Sequence, residues 1–132
     1  MLRPVTVILG VCLSAFLIGR SSNGDHQQNK KEREVSYAKD LFPVVKKYCV
    51  VCRSRQADHP SGLFMETYED LMGEGRHGKA VIPGNAGKSI LYQKLLSPPP
   101  FGRAMPPSKR IKLTPEQIEL FRLWINQGAK NN

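Results

Sequence analysis

Acidic residues are scarce in this chain: 11 Asp and Glu stand against 20 Lys and Arg, for a formal net charge of +9. No paired carboxylates and no nucleophile–base constellation can be picked out, so nothing argues for a hydrolase and a non-enzymatic role is expected. Histidine and cysteine are also rare, three of each. A zinc site drawn from Cys49, Cys52, His59 and His77 has enough donors on paper, but a second paired cluster with regular spacing is missing. The basic residues are scattered, without the interleaved aromatics that read single strands, so nucleic acid is not an expected partner. No internal repeat is present. The surplus positive charge suits an acidic partner surface or anionic lipid instead.

The longest apolar run, Val5 to Gly19, falls short of the roughly 20 residues a spanning helix needs. Arg3 precedes it, and Gly19, Ser21, Ser22 and Gly24 follow it. This is the layout of a secretory signal peptide, with an uncleaved membrane anchor as the alternative. Residues 1–24 are therefore read as signal peptide or anchor, with membrane association through residues 1–19 in the second case. Residues 25–34 read as a flexible polar tether, and 35–132 as the folded domain. Cys12 lies within the apolar run and His26 in the tether, so neither is a candidate site residue. The expected location is exported: periplasmic, or membrane-anchored facing the periplasm.

The domain reads as mostly α, with short helices and long loops. Asp40 can cap a helix starting at Leu41, with Pro43 in its first turn and Lys46 and Lys47 near its end. Leu63 to Met72 reads as a short strand or extended piece entering a helical turn, and Gly73, Gly75 and Gly78 then interrupt regular structure. Pro83-Gly84 signals a turn. Ser89 to Leu96 is a helix with Ile90, Leu91 and Leu95 inward, stopped by Ser97 and three prolines. The last helix has the clearest signature: Thr114 as N-cap, Pro115 first, and Gln117 completing a capping box. Its apolar stripe is Ile118, Phe121, Trp124 and Ile125, with Gly128 as the stop. The Gly-Lys-Ser at 87–89 is no phosphate loop, because the first glycine of that motif would fall on Ile82.

The most informative feature is Cys49-Val50-Val51-Cys52. A C-x-x-C pair can attach haem, bind metal, cycle as a redox disulfide or form a structural bridge. Haem c attachment uses C-x-x-C-H, in which the imidazole after the second cysteine binds the iron. Here that residue is Arg53, a cation without a lone pair to offer a metal. Met105, before Pro106 and Pro107, has the thioether a distal haem ligand needs.

In order along the chain stand the helix into Cys49–Cys52, Ser61-Gly62-Leu63, Ala80-Val81-Ile82-Pro83-Gly84, and Lys88-Ser89-Ile90-Leu91. Met105-Pro106-Pro107, Leu113-Thr114-Pro115-Glu116-Gln117-Ile118 and Trp124-Ile125-Asn126-Gln127-Gly128-Ala129 follow. From Leu41 to Ala129 this sequence resembles the planctomycete-type cytochrome c domain. The resemblance implies a small helical cytochrome c-like fold, covalent haem c on Cys49 and Cys52, Met105 as distal iron ligand, and electron transfer to a redox protein partner. Arg53 departs from the family pattern, and His59 or His77 would have to substitute for the proximal ligand. The alternative is a haem-free binding or structural module on the same scaffold, with a Cys49–Cys52 disulfide.

Overall fold

The computed structural model describes residues 32–107 and 112–132. The expected signal peptide or anchor and most of the expected tether lie outside the described residues. Among those described, no helix is long and apolar enough to cross a membrane.

The domain is mostly helical, as expected. A π-helical turn at Tyr37–Leu41 runs directly into α1, Phe42–Tyr48, which has Pro43 in its first turn. The residue that starts this unit is Ser36 rather than Asp40. The Ser36 backbone is extended, and its hydroxyl accepts from the Lys39 N–H at 3.2 Å. Asp40 sits inside the turn, where its carboxylate accepts from the Ser36 N–H at 2.9 Å and pairs with Arg33 at 3.0 Å. The acidic side chain therefore closes the cap from within.

Cys49 joins α1 to α2, Val50–Arg53. An extended stretch leads to α3, Tyr68–Met72, capped by the Thr67 hydroxyl. The glycine-rich stretch holds more order than expected. Glu74–Gly75 (β1) and Gly78–Lys79 (β2) form a small antiparallel ladder, Glu74 opposite Lys79. Gly75 fits because a side chain there would press on the Ser61 carbonyl at 2.7 Å, and the same carbonyl accepts from the Arg76 N–H at 2.7 Å.

The turn after Val81 leads to α4, Ile90–Leu95. Fully buried Ser89 stitches the two together: its hydroxyl donates to Asn85 O at 2.8 Å and accepts from the Ile82 N–H at 2.9 Å. Leu91 and Leu95 are buried, while Ile90 is only half-buried. The final helix, α5, spans Pro115–Asn126 with the expected capping box, Thr114 and Gln117 each satisfying the other's backbone N–H.

The core forms around α5. Phe121, Trp124 and Ile125 pack with Leu41, Val45, Leu71 and Val81. The segment before α1 and the C-terminal residues clasp this core: Val35 N–H donates to Gln127 Oε1 at 2.8 Å, and Tyr37 N–H donates to Asn132 Oδ1 at 2.8 Å. Trp124 Nε1 donates to Lys130 O, and the Tyr68 hydroxyl to Ala129 O, both at 2.8 Å. The core fixes one face of α1 and α4. Their other face borders the candidate site.

Candidate functional site

The end of α1 and the turn of α2 present the cysteines. Cys49 N–H donates to Val45 O at 2.8 Å, and Cys52 N–H to Cys49 O at 3.1 Å. Helical backbone thus runs through the motif and places both thiols on one wall of a cleft. Both thiols are free, so the disulfide of the haem-free alternative is not formed here. Burial pushes the Cys49 thiol up to about 11, against the lowering effect of nearby Arg53. Cys52 is exposed.

Met105 stands across this cleft. Its N–H donates to Lys94 O at 2.7 Å, which pins the proline-rich loop to the last turn of α4. Leu63, Met65, Leu91 and Leu95 are among the side chains that make the rest of the wall largely apolar, with Arg53 and Lys94 as its charged members.

Arg53 follows Cys52 on α2, and its carbonyl accepts from the Met65 N–H at 2.9 Å. Its guanidinium turns toward the loop after α2. Nη1 lies 3.1 Å from His59 Nδ1 and donates to the Ser61 hydroxyl. The Ser61 backbone N–H also donates to His59 Nδ1, at 3.2 Å. With two donors aimed at it, Nδ1 acts as an acceptor and the ring is neutral. Burial and the neighbouring guanidinium hold the His59 imidazole below its ordinary pKa, and burial lowers that of Arg53 as well.

His77, in the turn between β1 and β2, lines the same cavity as Arg53, His59 and Met105. The structure therefore gathers Cys49, Cys52 and Met105 on one cleft, and His59 and His77 on an adjoining one that shares Arg53 and Met105. The lone pair of His59 Nδ1 is committed to Arg53. Among the described residues no group of three or more His, Cys, Asp or Glu comes together to hold a metal ion, so the four-ligand zinc arrangement does not form. Lys94, which the sequence did not single out, borders both clefts. No local signal marks it: it lies on an ordinary helix, and the folded Met105 loop alone brings it to the site.

Residues 49–109 match the planctomycete cytochrome C family model. The resemblance read from the motifs is therefore shown, and the matched stretch carries both cysteines and Met105. No curated protein and no solved structure matches this chain.

A match to a cytochrome c family implies haem c in general, and the site can be tested against that group. Two free thiols one helical turn apart, largely apolar walls and a thioether lining the same cleft are a donor set that would suit a covalently attached tetrapyrrole. The position that would supply the proximal imidazole holds a guanidinium, which donates hydrogen bonds and cannot ligate.

Proposed function

We propose that the domain attaches a single haem covalently through Cys49 and Cys52 and serves as an electron carrier with an atypical proximal side. The observation that carries this reading is the convergence of both free thiols and Met105 on one apolar cleft within the family-matched stretch. A haem so held supplies a one-electron iron couple, which a thioether ligand biases toward the reduced state.

The residues divide the work. The two cysteines would hold the group covalently, and Met105 would offer its sulfur from a loop held to α4 by the Lys94 carbonyl. Leu63, Met65 and Leu91 would help keep water from it. His59 and His77 share the cavity with Arg53, and His59 would need Arg53 to move before offering its Nδ1. The same reading places the domain outside the cytoplasm, delivered or anchored by its N-terminal run, with a redox partner whose acidic surface complements the net charge of +9.

The second reading, a haem-free binding module, is favoured by the Arg53–His59–Ser61 cluster, which satisfies the proximal side without a metal.

The test is expression of the full-length chain in cells carrying a cytochrome c maturation system, followed by a denaturing-gel haem stain and an intact mass. Arg53→His, which restores C-x-x-C-H, runs beside it. Haem on both chains is the expected result. Haem on Arg53→His alone makes the natural chain the haem-free module. An unmodified mass for both removes the cytochrome reading altogether.

A further inference from the structure

Two of the cations that border the clefts face only neutral groups. Arg53 is half-buried, and its guanidinium is met by the neutral His59 ring and the Ser61 hydroxyl. Lys94 Nζ donates to Phe101 O at 2.8 Å and Arg103 O at 3.2 Å, and stands 4.3 Å from the Phe101 ring centroid. Among the described residues, neither Arg53 nor Lys94 pairs with a carboxylate.

Arg53, Lys94, His59 and His77 line one open cavity of about 530 Å³, and among the described residues no Asp or Glu contributes to its walls. Its other surfaces include Leu63, Ile90, Phe101 and Met105, which are apolar. A cation withdrawn from water without a counter-charge is costly, and an incoming anion relieves that cost. A guanidinium offers two parallel N–H donors that match a carboxylate. Inorganic phosphate would use the cations but leave the apolar walls unmatched.

We propose that this cavity is a binding site for a carboxylate carried on an apolar body, with Arg53 as its anchoring cation and Lys94 as the second. Two sources supply that chemistry: a free organic acid, or the carboxylates of a tetrapyrrole. The site does not depend on thioether attachment, because Arg53 and not the thiols carries it. Its failure and the failure of haem attachment are therefore separate results.

The full-length chain, made without a haem maturation system, is titrated with metal-free protoporphyrin IX and with its dimethyl ester. Removing the iron takes axial ligation out of the measurement. A second arm compares octanoate with octanol by thermal shift. The expected preference for acid over its uncharged analogue is about tenfold or more, the value of one charge-assisted hydrogen bond. Arg53→Gln collapses that preference and Lys94→Gln reduces it, while Arg53→Lys, which keeps the charge, retains part of it. Circular dichroism of each variant confirms the fold. A preference in the porphyrin arm alone assigns the site to tetrapyrrole carboxylates, and one in the octanoate arm alone assigns it to a free acid. Equal binding of acid and neutral analogue in both arms, or full preference in Arg53→Gln, overturns the proposal.

Discussion

Around Trp124, buried polar groups find partners within the chain. The indole N–H reaches Lys130 O, the Tyr68 hydroxyl reaches Ala129 O, and Gln127 ties α5 to the segment before α1 through Val35 N–H and Arg33 O. Around Arg53 the opposite holds. The thiols are free, cations meet neutral partners, and a cleft opens beside apolar side chains such as Leu91 and Leu95 whose other contacts are with the core. The first region is where sequence pattern, capping and packing agree, which is the condition for a stable fold. The second leaves free thiols and cations without a counter-charge, the groups on which the proposed ligand chemistry rests.

That division has measurable consequences, and the largest should come from the packed side. Trp124 is 1% exposed and stacks within an aromatic group that includes Tyr37 and Tyr68. Trp124→Ala should destabilise the domain by about 3–5 kcal/mol in a urea melt. A loss below about 1 kcal/mol would place the stabilising core elsewhere. On the cleft side the contrast is one of reactivity. The Cys49 thiol, with its pKa pushed up to about 11 by burial, is almost wholly protonated at pH 8, and only the thiolate is alkylated. Its thiolate fraction at that pH is lower than an ordinary thiol's by about 100-fold or more. Time-resolved mass spectrometry with iodoacetamide should show exposed Cys52 modified well before Cys49, with Cys49 accelerating as pH rises. Equal rates would mean that the cleft opens and that Cys49 is not buried in solution.

How much of this was legible follows the same boundary. The capping box of α5, its apolar stripe and the proline stop after α4 are local features, and each sits where its residues indicated. The C-x-x-C and Met105 could be named because thiol and thioether are themselves the groups able to attach or ligate a haem. Three things escaped a local reading. Ser36 displaced Asp40 as cap because a π-helical turn adds a residue before α1. The β1–β2 ladder formed among glycines because Gly75 allows the Ser61 backbone to approach, a contact between distant segments. Lys94 entered the site only through the folded path of the loop that carries Met105. The partners of Arg53 were equally out of reach, since neither His59 nor Ser61 announces a guanidinium by its spacing.

A smaller effect bears on α5 itself. Thr114→Ala removes the hydroxyl that accepts from the Gln117 N–H. The expected loss is about 1 kcal/mol, as for other N-caps. The bound state of the cleft should be unaffected, because no wall of the Cys49–Met105 space comes from α5. If the variant alters ligand or haem capture by more than its stability change accounts for, the two regions are coupled and the division fails.

The smallest effect tests the one place where the packed region breaks its own rule. Tyr37 is 5% exposed, and its ring packs against Phe42, Tyr68 and Trp124. Its hydroxyl is buried with no hydrogen-bond partner among the described residues, and burial, with the charges of Glu69 and Asp70 adding to it, raises its pKa to about 12. Tyr37→Phe keeps the ring contacts and removes the stranded donor, so it should be neutral or stabilising by up to about 1 kcal/mol. A loss of more than that would show that the hydroxyl has a partner. The comparison with Arg53 is then direct. The Tyr37 hydroxyl is taken from water without an acceptor, and the half-buried Arg53 guanidinium has neutral acceptors but no counter-charge. Tyr37 is enclosed by aromatic rings, so its unmet hydroxyl is a cost the fold absorbs. Arg53 borders a cavity of about 530 Å³, which leaves room for the charge that would match it.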